Sequence, residues 1–136
     1  MALDQATKLM LCKQAAEVRR FAYAPYSKYP VGAALLTDTG KVYTGVNVEN
    51  IDFTDGNCAE RTAVFKAVSE GERAFTAVAV VAPNAGTPCG SCRQVLAEFS
   101  YDMLVIIGST EGEFLREVPL RELLPEAFQP AHYQLP

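Results

Sequence analysis

The sequence predicts an α/β sandwich around one mixed sheet. Three observations carry that expectation: about five short apolar runs, several of them β-branched, helical patterns set between those runs, and a tight Asp-Thr-Gly turn joining the first two. At 136 residues, with 49% hydrophobic and 21% charged residues, the chain fits one domain, residues 1–136. That is enough to bury a single core without covalent staples.

The elements follow in order. Over residues 4 to about 20, Leu11, Ala15, Val18 and Ala22 recur at helical spacing, which predicts an amphipathic first helix with Cys12 near its buried face. The two prolines of "APYSKYP" end it. "VGAALLT" (31–37) and "KVYTGVNV" (41–48), separated by "DTG", read as a hairpin. A polar loop, "ENIDFTDG", follows. Residues 57–70 are the second helix, with Ala63/Ala67 and Val64/Val68 at i,i+4 spacing and Gly71 as its stop. "FTAVAVVA" (75–82) is a buried strand by its apolar continuity. Pro88 is expected at the first position of a third helix running through "CGSCRQVLAEF". "MLVIIGS" and "EFLREV" supply two more strands, and "LRELLPEAF" a short helical turn.

Composition also excludes some roles. No apolar run is long enough to span a bilayer, and "MALDQATKLMLCKQ" has no basic segment followed by an apolar stretch and cleavage site. A cytoplasmic protein with no membrane partner is expected. Net charge is −4 and the twelve Lys and Arg are scattered, so the basic patch of a nucleic-acid binder is missing. A free small molecule is the better substrate class. Four cysteines without a secretory signal read as metal ligands, catalytic thiols or core residues before disulfides.

Three of those cysteines fall at helix starts. Cys58 opens the second helix, and Cys89 and Cys92, three apart, share a face at the start of the third. Free N–H groups and partial positive charge at both places favour thiolates. Three thiolates suit Zn²⁺, and three protein ligands leave a fourth position open, as catalytic zinc sites do. Cys12 has no partner at ligand spacing and reads as a buried small hydrophobe. His132, the one histidine, reads as a solvated tail residue. A Cys-x-Glu, a gap of about thirty residues and a Pro-Cys-x-x-Cys together form the signature of zinc deaminases. Glu60 is then the catalytic acid and base. Its duller reading is the third helical residue, reaching back to cap a helix begun at Asn57. For Cys89 and Cys92 the duller reading is a redox dithiol.

Through "APYSKYPVGAALL", "GVNVEN", "CAERTA", "PCGSCRQV" and "LLPEAF" the chain resembles the small, homotetrameric class of cytidine deaminases over nearly its whole length. The resemblance implies a three-layer α/β/α fold, one tightly bound zinc per subunit, and hydrolytic deamination of cytidine and deoxycytidine to uridine and deoxyuridine in pyrimidine salvage. It makes Cys58, Cys89 and Cys92 the ligands, Glu60 the proton shuttle, Arg61 a donor to the ligand sulfurs, and Asn47 and Glu49 partners of the ribose. Ala59, between ligand and acid, joins the substrate-binding set. Similar enzymes often have Phe at Tyr29, Cys at Val46, Tyr at Phe53 and Ala at Ser91. These departures spare the ligands and Glu60 and bear on fine substrate preference.

The chemistry needs these residue types. Cytosine C4 is a weak electrophile and neutral water a poor nucleophile, so both must be activated. A zinc lowers the pKa of water, and Glu60, one residue from Cys58, stands where it can take the proton, pass one to N3 and deliver one to the departing amine. Three thiolates weaken the metal's Lewis acidity, and the helix N-termini and Arg61 offset that. Arg61 is otherwise an exposed helix arginine. Asn47 and Glu49 alternate with Val46 and Val48 at the end of the second strand and so point one way. A carboxylate that accepts a sugar hydroxyl repels a phosphate, so Glu49 argues against nucleotides. Its alternative is an exposed polar strand end. Tyr29, Phe53 and Phe128 either pack on the base or belong to the core. Because one chain is small for closing loop 49–57 over the site, and similar enzymes bring such aromatics from neighbouring chains, a homotetramer with shared active sites is expected. Two other readings stay open: a blasticidin S-type deaminase, a class that lacks the Glu of "NVEN", and a non-catalytic zinc-stabilised interaction module.

Overall fold

The computed structural model of the protein describes residues 3–133, so residues 1, 2 and 134–136 of the expected 1–136 domain lie outside the described residues. Helix α1 (Gln5–Val18) starts at an Asp4 cap whose carboxylate accepts from Thr7 N at 2.8 Å. Such a cap satisfies one of the free amides of a first turn. Strands β1 (Gly32–Thr37) and β2 (Val42–Val46) form the expected hairpin. They are followed by α2 (Ala59–Ser69), β3 (Phe75–Val81), α3 (Gly90–Phe99), β4 (Leu104–Gly108), β5 (Phe114–Pro119) and two single-turn helices, α4 (Leu120–Leu123) and α5 (Pro130–Tyr133).

The five strands lie in the order β2-β1-β3-β4-β5, with β3 and β4 parallel and every other pair antiparallel. The sheet is therefore mixed, as expected. The parallel pair needs a crossover, and α3 supplies it. Period-two alternation sorts the core into two faces. Ala34, Leu36, Ala77, Ala79, Val81 and Ile106 pack beneath Leu11, Cys12 and Ala15 of α1. Ala33, Leu35, Val78, Val80, Val105 and Ile107 face Ala63, Val64 and Ala67 of α2 and Leu96 and Ala97 of α3. One helix on one side and two on the other make three layers.

Two glycines let the helices approach. At Gly45 of β2 a Cβ would fall 2.5 Å from Ala63 N and 2.6 Å from Ala59 O, so only a glycine allows the first turn of α2 to rest on the sheet. At Gly32 of β1 a Cβ would fall 2.0 Å from Ala15 O, the same constraint for α1. Gly71, at φ 100°, ends α2 as the sequence suggests.

Several expectations need correction. Asn57 does not begin α2, because its backbone exchanges two hydrogen bonds with Val48 (2.9 and 3.0 Å) in an isolated β-bridge. The helix caps at Cys58, one residue later. Pro88 lies outside α3, which caps at Cys89 and begins at Gly90. Regular pairing of β2 stops at Val46, short of Asn47 and Glu49. The buried face of α1 takes in Lys8, which pairs with Glu117 on β5 at 2.5 Å, while Val18 is only partly covered.

Candidate active site

Both zinc-type cysteine groups arrive through helix starts. Cys58 is the N-cap of α2 and Cys89 the N-cap of α3, each with extended backbone and no side-chain bond to the amides of its own first turn, which leaves the sulfurs free to meet one another. Cys92, in the first turn of α3, is fully buried. The three sulfurs all lie within 4.8 Å of one another, and Cys58 and Cys89 Sγ are 3.8 Å apart. A tetrahedral zinc with Zn–S near 2.3 Å places its sulfurs about 3.8 Å apart, so the spacing fits.

Charge around the cluster fits as well. Arg61 Nη2 donates to Cys58 Sγ at 3.2 Å. The Cys92 thiol and the Arg61 guanidinium hold the Cys58 thiol down at about 5, well into the thiolate range. That thiolate, with burial, pushes Cys92 the other way, so without a metal the pair shares one negative charge. Arg61 Nε is buried and has no hydrogen-bond partner among the described residues. A soft donor set of three sulfurs beside a fixed cation is what a zinc thiolate site requires. Cys12 stands apart, fully buried on the sheet-facing side of α1, where burial raises its thiol to about 11.

Glu60 follows Cys58 by two residues and is only 5% exposed. As the second residue of α2 it is one position too early for a capping box with the N-cap at Cys58. Burial, reinforced by the Cys58 charge and opposed by Arg61 and its own backbone N–H, raises the carboxyl to about 7. A carboxyl poised there gives and takes protons near neutrality.

Glu60 sits in the wall of a cleft of about 310 Å³ that also takes in Cys58, Cys89, Ala59, Tyr29, Asn47 and Glu49. That volume is at the lower end of small-molecule sites, roughly 300–1,000 Å³. Beside it, a second cleft of about 500 Å³ shares Ser27, Asn47, Glu49 and Cys58 and continues to Arg61 and Phe53. The cleft thus gathers residues 29, 47, 49, 58, 59, 60 and 89 from distant parts of the chain.

Asn47 and Glu49 are tied to the chain between Tyr26 and Val31. Asn47 is buried, accepting from Val31 N at 2.9 Å and donating to Tyr29 O at 2.8 Å. Glu49 accepts from Tyr26 N (3.0 Å), Ser27 N (3.1 Å) and the Ser27 hydroxyl, which holds its carboxyl below the usual range. Neither is a loose polar strand end. Ser27, which both clefts share, is a further site residue that no spacing or motif in the sequence singles out, its place set by Glu49 across 22 positions.

The other two aromatics are not enclosed within one copy. Phe53 is 77% exposed on the 49–57 loop, edge-on to Tyr26 at 5.9 Å. Phe128 is 62% exposed and lines neither cleft, its carbonyl accepting from Gln94 Nε2 at 2.8 Å. His132 is exposed beside it, with ring centroids 6.1 Å apart. No helix among the described residues is long and apolar enough to cross a membrane.

Comparison with known proteins agrees with this geometry. The chain is 50% identical over 121 residues to a cytidine deaminase of Sporosarcina psychrophila, covering 87% of this chain and 88% of that one. It is 50% identical over 122 residues to a cytidine deaminase of Halalkalibacterium halodurans, covering 88% and 92%. It superposes on the crystal structure of cytidine deaminase from Burkholderia pseudomallei with a TM-score of 0.82 at 43% identity, covering 93% of this chain and all of that one. The family model for the cytidine and deoxycytidylate deaminase zinc-binding region matches residues 5–108, and with its three sulfurs at zinc spacing the chain belongs to that family.

Proposed function

We propose that the protein is a zinc-dependent aminohydrolase that converts cytidine and deoxycytidine to uridine and deoxyuridine with release of ammonia, acting in the cytoplasm in pyrimidine salvage. Residues 1–136 act as one catalytic unit. The observation that carries this reading is the buried Glu60 carboxyl two residues from a cysteine in a cluster at zinc spacing, in the wall of a nucleoside-sized cleft.

Cys58, Cys89 and Cys92 are the residues that would hold the metal, and a bound Zn²⁺ supplies the Lewis acidity that makes water acidic enough to attack at neutral pH. Glu60 does the proton work. Ionised, it takes a proton from the attacking water and passes it to ring N3 as C4 becomes tetrahedral. It then takes the remaining proton of the new C4 hydroxyl and hands it to the 4-amino group, which leaves as ammonia while the C4 carbonyl forms. A carboxyl near 7 serves both directions without a second acid. Arg61 keeps the sulfurs from donating their full charge by hydrogen bonding to Cys58.

Asn47 and Glu49 meet the ribose at the edge that the two clefts share, with Glu49 excluding phosphorylated sugars by charge. Tyr29 and Ala59 bound the base. Phe53 and Phe128 belong to the enclosure. The protein is a homotetramer with one zinc per subunit, and each site is completed by a neighbouring copy. Support for that arrangement is the high exposure of Phe53 and Phe128 in a single copy.

The test is direct. Zinc-loaded protein is incubated separately with cytidine, deoxycytidine, cytosine, cytidine monophosphate and blasticidin S, followed by ultraviolet absorbance and ammonia release. Turnover of the two nucleosides is expected. Turnover confined to cytosine, the monophosphate or blasticidin S would overturn the substrate assignment, and none at all would leave a zinc-stabilised interaction module.

A further inference from the structure

The smaller cleft is bounded by two segments remote in sequence: residues 27–31, and the loop 82–89 that leads from β3 to the metal-binding start of α3. The first segment is bound to the sheet side by Asn47 and Glu49, as described above. The second is unevenly held. Its far half is fixed by Arg93, whose Nε donates to Pro88 O at 2.7 Å and Nη2 to Thr87 Oγ1 at 2.9 Å, while Nη1 reaches Leu123 O at 2.7 Å.

The near half, residues 83–86, has fewer bonds to hold it, with Ala85 resting on the core face of the sheet under α2 and α3. One turn hydrogen bond, Ala85 N to Ala82 O, spans it at 3.3 Å. Ala85 stands at φ 56°, a left-handed conformation that an alanine adopts only when its surroundings enforce it. Among the described residues, one side-chain hydrogen bond reaches this half-loop, and it comes from across the cleft: the Tyr29 hydroxyl donates to Asn84 Oδ1. That bond is also the sole side-chain hydrogen bond between the two segments among the described residues. Gly86 backs it closely, since a Cβ there would lie 3.1 Å from Asn84 Oδ1 and 3.3 Å from Tyr29 Oη. Ring, hydroxyl, carboxamide and glycine backbone form one packed unit, of which Tyr29 and Gly86 face the cleft.

We propose that the Tyr29–Asn84 hydrogen bond is a clasp that sets the spacing of the two cleft walls, making Asn84 a positioning residue for the nucleoside base although it does not line the cleft. This rests on the deaminase reading above. Without the clasp the half-loop relaxes away from its left-handed turn, and the wall must be rebuilt each time a nucleoside binds. The cost falls on binding, because Glu60 and the cysteines are held by α2, α3 and Arg93 and stay in place.

The experiment uses zinc-loaded Tyr29→Phe, Asn84→Ala, the double variant, and Asn84→Asp, which keeps an acceptor oxygen. Each of the first two is expected to raise KM for cytidine about 3- to 10-fold, the range of one lost neutral hydrogen bond, with kcat within about twofold and zinc content unchanged. The double variant is expected to be no worse than either single one, since both remove the same bond. Asn84→Asp is expected to keep KM within about twofold of the parent. Amide hydrogen exchange at residues 84–86 should quicken in Tyr29→Phe while the amides of α1 stay protected. Parental KM in both single variants, additive effects in the double, or unchanged exchange in this loop would overturn the clasp. A parent protein that fails to turn over cytidine overturns the deaminase reading instead, and hydrogen exchange still decides the clasp.

Discussion

The two sides of the cleft are built differently. On the metal side, two helix starts present their sulfurs within 4.8 Å of one another, Glu60 is buried beside them, and an arginine of the same helix turn completes the charge balance. Every group that the proposed chemistry uses lies in this one chain. On the aromatic side, Phe53 and Phe128 stand 77% and 62% exposed, and the 49–57 loop is held by short-range bonds such as Asp52 to Thr54. The difference separates reactivity, which this chain assembles from regular secondary structure, from enclosure, which depends on loops. The two should therefore fail separately when they are broken.

The largest expected effect is on the metal side. Cys89→Ala removes one of three sulfurs, and both zinc content, by metal analysis, and turnover should fall to background. A zinc-replete, active variant would break the ligand assignment. Glu60→Gln should keep its zinc and lose about 10²- to 10⁴-fold in kcat, the range of general acid–base catalysis.

The same substitution reads out the cost of burying that carboxyl. In metal-free protein Glu60 titrates at about 7, raised by burial from 4.5. Below about pH 4.5 folded and unfolded states both hold the proton and Glu60 costs nothing. Between about pH 4.5 and 7 the unfolded state has released its proton while the folded state still holds one, so stability falls across that window and levels off above about 7, where the folded state is ionised too. Metal-free Glu60→Gln should match the metal-free parent below about pH 4.5 and exceed it by up to about 3 kcal/mol above pH 7, measured by urea unfolding with chelator and reductant present. An equal pH dependence in both would mean that Glu60 is solvated without the metal.

Legibility followed the same division. The helix-start cysteines, the hairpin and the three apolar strands of the interior were readable because each is a local pattern of spacing and turn residues. What escaped was set by partners distant in sequence. Asn57 looks like an N-cap, yet its pairing with Val48 across the loop moves the start of α2 to Cys58. Lys8 breaks the apolar stripe of α1 and is buried all the same, because Glu117 on β5 meets it. Asn84 lies in a Pro-Asn-Ala-Gly loop with no motif, and its link to Tyr29 spans 55 positions. Asn47 and Glu49 were singled out for a sugar, and their bonds to the 26–31 segment were not visible without the fold.

On the sugar side the effects should be smaller. Glu49→Gln keeps the size of the side chain and removes its charge. It should weaken cytidine binding by about 1.5–3 kcal/mol, the scale of a hydrogen bond to a charged group, while zinc stays bound. Because Glu49 also accepts from Tyr26 N, Ser27 N and the Ser27 hydroxyl, equilibrium unfolding must be measured alongside. Unchanged affinity with lowered stability would make Glu49 a brace of the 26–27 turn and move the sugar elsewhere.

The last test concerns whether the aromatic side is completed by another copy. Phe128 lines neither cleft of its own chain, so its truncation would have little effect in a self-sufficient monomer and a marked one if its ring enters a neighbour's site. Chains carrying Glu60→Gln and chains carrying Phe128→Ala, each weak alone, are unfolded, mixed in equal amounts and refolded with zinc. If each site takes its Glu60 from one copy and its Phe128 from one neighbour, random assembly gives both intact groups in about one quarter of sites. Activity should rise toward about one quarter of the parental value, while refolding either variant alone gives no gain. Light scattering at the assay concentration must show the tetramer. A fully active monomer, or no recovery despite proven exchange of subunits, would mean that each copy closes its own cleft and that the exposure of Phe53 and Phe128 serves some other contact.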